Sequence, residues 1–150
     1  MNKVVAGAAE AVLGIRPVWA GERVAGLPSR GLRVEGLARR YAGPPPRQEP
    51  TSGVSLLYGA GRAGRPAWTR PFLLIQQARA PEPAYGFLSG DLALDPLPRE
   101  GVALVETRPD ASGGAELWVA RVRSGGLFVS ASASSRAILV AALDALAPVP

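Results

Sequence analysis

The sequence predicts an α+β fold: a curved antiparallel sheet of five to six strands, with N- and C-terminal helices packed on one face. Two observations carry this prediction. Apolar residues recur at helical spacing at both ends of the chain and with a period of two between them. In addition, 15 prolines and 18 glycines among 150 residues provide many turns. This length suits a single domain, residues 1–150, because it can bury a sizeable core.

The first helix is predicted over residues 2–13. Asn2 is a suitable N-cap, and Gly14 and Pro17 suit the positions that follow a helix C-terminus. The apolar positions at helical spacing are Val5, Ala8, Ala9 and Val12. Lys3 and Glu10 lie on the opposite face, so we expect this helix at the protein surface.

From Val18 to about Phe128 the period of two predicts strands. Residues 43–52 contain four prolines, which cannot donate ladder hydrogen bonds, and this segment is expected to be an exposed loop. Residues 72–77 are apolar at consecutive positions, which favours a central strand. Ser124-Gly125-Gly126 indicates a hairpin turn. The predicted strands are residues 32–41, 54–58, 72–77, 102–106, 116–122 and 127–132.

The second helix is predicted after Ser134 or Ser135, either of which can cap it, and ends before Pro148. Its broad apolar face comprises Ile138, Leu139, Ala142, Leu143 and Leu146. A helix with so few charges must be docked on the sheet. We therefore expect Ile138, Leu139, Leu143 and Leu146 to be buried.

The chain has no histidine and no cysteine. A Ser-His-Asp triad, a cysteine nucleophile and a Cys/His zinc site are therefore excluded. Residues 91 and 95 are aspartates, but Leu92, Ala93 and Leu94 between them offer no side-chain oxygen, so capping of a short strand is favoured over a cation site. We expect a metal-free protein without a cofactor.

The net charge of +5 is unevenly distributed. Residues 1–79 contain twelve basic and four acidic residues, a net charge of +8, whereas residues 80–150 contain five basic and eight acidic residues, a net charge of −3. A basic half can face nucleic acid or an acidic surface. No compact Lys/Arg run marks such a patch, however, so nucleic-acid binding is the weakest of the functions considered.

Residues 59–64 match the dinucleotide fingerprint G-x-G-x-x-G. That motif needs a helix beginning at the loop, and Pro66 and Pro71 leave no room for one. The match is therefore interpreted as a hairpin loop. The loop gathers Arg62, Arg65, Trp68 and Arg70, and arginines beside an indole can bind an anion or stack on a ring. These four residues are the candidate ligand-binding residues, with a merely solvated loop as the alternative.

No apolar stretch reaches the ~18 residues that a membrane-spanning helix needs. Residues 1–20 are interrupted by Glu10 and Gly14, so they do not have the pattern of a signal peptide. The sequence itself assigns no compartment.

Four short phrases carry a resemblance: Pro17-Val18-Trp19-Ala20-Gly21, Gly26-Leu27-Pro28, residues 53–59 (GVSLLYG) and residues 71–76 (PFLLIQ). With them the chain resembles a family of small actinobacterial extracytoplasmic or lipoprotein-type domains of unknown function, and is similar to domains appended to anti-sigma factors. The resemblance implies an α+β domain outside the cytoplasm and supplies no catalytic residue. Relatives often carry cysteines after the Tyr-Gly pair, and here residues 60–70 have none.

The function that these observations favour is a non-enzymatic binding or sensing module, which uses the sheet face or the loop of residues 59–70. The alternative is an enzyme or small-molecule carrier with an apolar pocket, for which Tyr58, Asp91 and Glu106 are available acids and bases. The partner, a protein or a small molecule, and the oligomeric state are left open.

Overall fold

A computed structural model describes residues 3–41, 45, 47–62, 65–67, 69–79, 84–89, 92–94, 104–109, 116–124 and 126–150. Within these ranges two helices flank a series of strands. The elements are α1 (Lys3–Leu13), β1 (Val18–Trp19), β2 (Arg23–Val24), β3 (Leu27–Tyr41), β4 (Arg47–Gly59), β5 (Gly61–Arg62), β6 (Arg65–Pro66), β7 (Phe72–Arg79), β8 (Ala84–Ser89), β9 (Leu92–Leu94), β10 (Leu104–Pro109), β11 (Glu116–Ser124), β12 (Leu127–Ala133), α2 (Arg136–Ala145) and β13 (Ala147–Pro148).

One antiparallel sheet dominates the fold. Its strands follow the order β10-β11-β12-β7-β4-β3-β8-β9, and β2 also pairs with β3. The six strands from β10 to β3 form the main sheet, which the short strands β8, β9 and β2 extend. The predicted α+β class with an antiparallel sheet is confirmed. The sequence pattern missed β8, whereas β9 coincides with the short strand expected between residues 91 and 95; with both, the full sheet has more strands than expected.

Two predicted boundaries are wrong. Residues 47–52, expected in a loop, belong to β4 and pair with residues 36–41 of β3. Pro50 is tolerated there because β4 pairs with β7 only over Gly53–Gly59. Among the described residues, residues 47–52 therefore pair with β3 alone, and a missing N–H is acceptable on the unpaired side. The strand expected over 102–106 is Leu104–Pro109, and residues 102 and 103 lie outside the described residues.

The central strand and the hairpin are confirmed. β7 lies between β12 and β4, in the middle of the sheet, and residues 72–78 are all buried. β11 and β12 pair antiparallel from Ser124↔Leu127 to Trp118↔Ala133. The apolar run of β7 is explained by burial on both of its faces.

Both helices pack on the same face of the sheet. Helix α1 is confirmed, and its Ala9 and Leu13 join the main apolar cluster. From α2, Ile138, Leu139 and Ala142 enter the same cluster. The sheet contributes alternate residues of its strands to this face, among them Val54, Leu56, Tyr58, Leu73, Ile75, Val129 and Ala131. Neither helix in the described ranges is long and apolar enough to cross a membrane.

The burial expected of α2 is confirmed in part. Ser135 caps the helix, since its hydroxyl oxygen accepts a hydrogen bond from the amide of Ile138. Ile138 and Leu139 are buried, whereas Leu143 and Leu146 are only half-buried against the cluster. The difference arises because Leu143 and Leu146 lie in the last turn and just beyond it, at the margin of the sheet contact.

The chain segment after α1 crosses the same face. The side-chain amide of Gln77 accepts from the Val18 amide at 2.8 Å and donates to the Val18 carbonyl oxygen at 2.9 Å. Strand β1 then pairs with β13, so the segment that follows α1 is joined to the segment that follows α2. Gln77 therefore has a structural role, because it satisfies backbone groups that no sheet ladder reaches.

The opposite face has an apolar cluster of its own, made of Leu57, Phe72, Leu74, Leu117 and Val119. It contains no residue of α1 or α2. Directly beside it the same face becomes polar, although its side chains remain buried. A polar interior of this kind is unusual for a sheet centre, and it is the basis of the candidate site.

Candidate binding site

Cross-strand pairing places polar residues next to one another in a single row. Ser55 of β4 pairs with Gln76 of β7, Gln76 pairs with Ser130 of β12, and Ser130 pairs with Arg121 of β11. Directly opposite residues of antiparallel strands share a face and lie about 5 Å apart. Ser132, two positions after Ser130, lies on the same face. These five residues, Ser55, Gln76, Arg121, Ser130 and Ser132, are called the polar patch below.

The polar patch is almost completely buried. None of its five residues exposes more than 4% of its surface. The hydroxyl oxygens of Ser55, Ser130 and Ser132 have no hydrogen-bond partner among the described residues. Each buried polar group without a partner costs about 1–3 kcal/mol, and such groups are few in native proteins. Three of them on one face indicate that the patch is completed by something beyond these side chains.

Gln76 connects the patch to an acid on β3, beyond the intervening strand β4. Its Nε2 donates a hydrogen bond to Oε1 of Glu35 at 2.9 Å. Burial raises the pKa of the half-buried Glu35 carboxyl, while the hydrogen bond from Gln76 and the charge of Arg33 act in the opposite direction. Glu35 therefore protonates more readily than an exposed glutamate.

Three arginines lie on the same face as the patch or belong to it. Arg121 is charged at every physiological pH and is 4% exposed. Arg33 pairs with Ser55, and Arg123 follows Arg121 by two positions, so both lie on the same face. Glu35 follows Arg33 by two positions and lies on the same face. All three arginines have further interactions of their own.

The apolar cluster adjoins the patch directly. Ser132 pairs with both Leu74 and Val119, so an apolar side chain lies on each side of its hydroxyl. Apolar surroundings lower the local dielectric and strengthen interactions with the Arg121 charge. Glu106 of the adjacent strand β10 pairs with Val119, but the side chain of Glu106 lies outside the described residues. The arrangement places hydroxyl groups, one amide and a cation beside apolar side chains.

The arginine loop predicted from the sequence is described only in part. Strands β5 and β6 pair antiparallel, with Arg62 opposite Arg65, as expected for a hairpin; residues 63 and 64 between them lie outside the described residues. Arg62 and Arg70 are exposed. The side chain of Arg65 and the whole of Trp68 lie outside the described residues. The gathering of these four side chains into a ligand site stays a prediction.

The acids and bases named for an enzyme are not brought together among the described residues. The hydroxyl of Tyr58 accepts a hydrogen bond from the Ala20 amide and donates one to the carbonyl oxygen of Gly21, on the helix-bearing face. Burial raises the pKa of Tyr58 to about 12. Tyr58 is therefore a poor acid or base near neutral pH. Asp91 and Asp95 lie outside the described residues, as does the side chain of Glu106.

A surface depression lies between α1 and residues 149–150. It is a shallow pocket of about 160 Å³, and its lining includes Lys3, Glu10, Arg16 and Val149. Its charged side chains are exposed to solvent. Solvated charges of this kind need no ligand, and the pocket has weaker support than the polar patch.

Sequence reasoning missed the polar patch, although part of its signal was present. The predicted hairpin with its turn at residues 124–126 already places Arg121 near Ser130. Polar residues at alternate positions of an otherwise apolar strand, such as Ser130 and Ser132, indicate a polar face on a buried sheet. Gln76 in the apolar run of residues 72–78 is the third signal.

Comparison of the chain with protein-family models, curated proteins and solved structures found no match.

Proposed function

We propose that this chain is a non-enzymatic binding module whose polar patch binds a small polar ligand. One observation carries the proposal: the hydroxyls of Ser55, Ser130 and Ser132 are buried on one face without a partner among the described residues. A ligand that hydrogen-bonds to them recovers a free-energy cost that the fold otherwise bears. Binding sites commonly combine a few convergent polar groups with an apolar wall, as this face does.

Ordered water is the competing occupant. A buried water typically makes about three hydrogen bonds to buried polar groups, and the patch offers such groups. Water and ligand differ in what they predict for serine-to-alanine variants. Permanently bound water makes each hydroxyl part of the stable fold, whereas a ligand site leaves the hydroxyls unsatisfied when it is empty.

The test combines the stability of the ligand-free protein with binding. Ser55→Ala and Ser130→Ala are expected to leave the free energy of unfolding unchanged or to increase it, because each removes a buried hydroxyl without a partner. Ser52→Ala is the matched control, since Ser52 is exposed on the same strand as Ser55. A loss of about 1 kcal/mol or more in both patch variants, with no change in the control, would assign the hydroxyls to structural water instead.

Binding is measured by amide chemical shifts during titration with a mixture of small carboxylates, amides and polyols. Shifts that cluster at Ser55, Gln76, Ser130 and Ser132 and disappear in the Ser130→Ala variant would support the proposal. Shifts confined to residues 60–70 would favour the arginine loop of Arg62, Arg65, Trp68 and Arg70 as the site. An absence of shifts at the patch would contradict the proposal.

The location outside the cytoplasm and the relation to domains of anti-sigma factors rest on sequence resemblance. Both stay predictions. A sensing role fits them, because a module on the outer side of a membrane can bind a small molecule and pass the signal to an attached protein. Fractionation of cells that produce the full-length protein tests the location directly.

A further inference from the structure

We infer that a second surface of this protein binds the sugar-phosphate backbone of a nucleic acid. It lies at the end of the sheet where Gly59 of β4 pairs with Phe72 of β7. Four exposed arginines lie close to this pair and are called the basic end below: Arg30, Arg62, Arg70 and Arg136. None of them belongs to the polar patch, so the inference goes beyond the proposed function and is independent of it.

β3 and β5 bring the first two arginines together. Nε of Arg30 donates a hydrogen bond to the carbonyl oxygen of Gly59 at 2.9 Å. Arg62 follows Gly59 by only three positions, in β5. Gly59 has a φ of +92°, and a Cβ at this position would lie 2.5 Å from the Pro71 carbonyl oxygen, so only glycine fits. The base of the β5–β6 pair is therefore held closely against β7, beside Arg30.

β7 and α2 add the other two arginines. Arg70 precedes Phe72 by two positions. The Ser134 amide donates to the Phe72 carbonyl oxygen at 3.2 Å, and the Ser134 hydroxyl oxygen accepts from the Phe72 amide at 3.0 Å. Arg136 follows Ser134 by two positions and begins α2. The four arginines are far apart in sequence and meet only through the fold, which is why the sequence shows no compact basic run.

The charge of the basic end is available to a partner. None of its four arginines forms an ion pair with a described acid. The first turn of α2 contains no acidic residue, so the positive end of the helix dipole adds to the same charge. The neighbouring hairpin adds one charge of each sign, Glu22 and Arg23. Asp110 and the side chain of Glu116, at the ends of β10 and β11 beyond β12, lie outside the described residues.

Exposed arginines favour a nucleic acid over an acidic protein segment. An exposed Arg–carboxylate pair contributes about 0–1 kcal/mol and is screened by salt. A nucleic acid instead carries condensed counterions, which are released when arginines neutralise its phosphates. The planar guanidinium also matches a phosphate group with two parallel N–H bonds. Four hydrated arginines therefore gain more from a phosphate backbone than from a row of carboxylates.

The same surface offers little to a membrane. A basic patch holds a protein stably on an anionic bilayer when a second, apolar contribution accompanies it. The exposed large apolar side chains in the described part of the chain are all valines. The two nearest to the basic end along the chain are Val34 and Val140, each four positions from one of its arginines. Contact with backbone phosphates needs no apolar contribution.

The test measures the Kd for a fluorescently labelled DNA duplex by anisotropy at several salt concentrations. Four phosphate contacts predict a slope of log K against log salt of about −3.6, from about −0.9 for each contact. We expect a Kd of about 10⁻⁴ to 10⁻⁶ M near physiological salt, equal for duplexes of unrelated sequence. A slope near zero, or no binding at low salt, would overturn the inference.

Variants place the site. The double variant Arg62→Gln/Arg70→Gln removes two contacts, so it should weaken binding at least tenfold and make the salt slope shallower by about 2. The matched control, Arg16→Gln/Arg47→Gln, makes the same change of net charge at exposed arginines that pair with glutamates outside the basic end. The control should change the Kd by about twofold or less. Equal weakening by both double variants would mean that net charge alone attracts DNA, and would overturn the inference.

Two further probes test the class of partner. Vesicles that contain phosphatidylglycerol and a polyglutamate peptide are titrated at the same ionic strength as the duplex. Weaker binding of both probes than of the duplex, at equal concentrations of negative charge, supports the inference. Equal or tighter binding of the vesicles would assign the basic end to a membrane surface, and equal or tighter binding of polyglutamate would assign it to an acidic protein; either result would overturn the inference.

Discussion

The hydroxyl of Tyr58 donates a hydrogen bond to the carbonyl oxygen of Gly21 at 2.8 Å. The same hydroxyl accepts a hydrogen bond from the Ala20 amide at 3.0 Å. Tyr58 lies in β4, and Ala20 and Gly21 belong to the segment between β1 and β2. This pair of bonds links a chain segment without long strands of its own to the centre of the sheet. A residue that the sequence offers as an acid or base is thus used for structure.

Tyr58→Phe is expected to destabilise the protein by about 1–3 kcal/mol, because the Ala20 amide and the Gly21 carbonyl lose their partner inside the fold. The measurement is the free energy of unfolding in denaturant at neutral pH. Unchanged stability would mean that water replaces the phenol and that the segment is not held by Tyr58.

Tyr58 also predicts an alkaline limit to stability. Its pKa is about 12 in the folded protein, against an ordinary value of 10.0, because burial favours the neutral phenol. The unfolded chain therefore ionises first as the pH rises. The stability that this group contributes is complete below about pH 10 and is lost as the pH approaches 12. Stability measured across this window should fall less steeply in Tyr58→Phe than in wild type.

Gln77→Leu tests the second link to the same segment. The substitution keeps the size of the side chain but leaves the Val18 amide and carbonyl without a partner, so we expect a loss of about 1–3 kcal/mol. Gln48→Leu is the matched control, since Gln48 is exposed on β4, and it should change stability by less than about 0.5 kcal/mol. Equal effects of the two variants would contradict a structural role for Gln77.

The docking of α2 predicts a graded series. Leu139 is 1% exposed, and Leu139→Ala should cost about 2–5 kcal/mol as a cavity forms in the core. Leu143 is half-buried, and Leu143→Ala should cost less, while Val140→Ala at an exposed position should change stability by less than about 0.5 kcal/mol. The order of the denaturant midpoints checks the series, and a neutral Leu139→Ala would mean that α2 is not docked.

The sequence was sufficient for the elements whose signals are local. Both helices, the cap at Ser135 and the hairpin around residues 124–126 follow from spacing and turn residues within a few positions. The polar patch was not predictable in the same way. Ser55, Gln76 and Ser130 are separated by 21 and 54 positions and meet only because β7 lies between β4 and β12. Periodicity reveals the two faces of a strand, but it does not reveal which strands are neighbours.

The arginine loop is the opposite case, because its residues are close in sequence. The prediction of a ligand site at Arg62, Arg65 and Arg70 rests on their closeness in sequence. A sequence shows no other kind of proximity. The two members whose side chains are described, Arg62 and Arg70, are exposed. Arg121 is instead buried, and its position opposite Ser130 gives it a defined neighbour. Burial and register, rather than local density of charge, distinguish the two candidates.

Glu35 gives the last prediction, in the acidic range. Burial raises its pKa above the ordinary value of 4.5 in the folded protein. Both the folded and the unfolded chain bind the proton at lower pH, and the unfolded chain releases it first as the pH rises. The stability that protonated Glu35 contributes is therefore complete below about pH 4.5 and is lost as the pH rises through the folded-state pKa.

Glu35→Gln keeps an oxygen that can accept the hydrogen bond from Gln76 but cannot ionise. The variant should therefore gain stability relative to wild type between pH 4 and pH 7, as measured by unfolding in denaturant at each pH. Glu49→Gln is the control, since the Glu49 carboxylate lies 3.3 Å from the exposed Arg47 and its side chain is 42% exposed. A Glu35→Gln variant that loses stability relative to wild type as the pH rises would show that the ionised carboxylate is favoured at this position, and that the positive groups around it outweigh its burial.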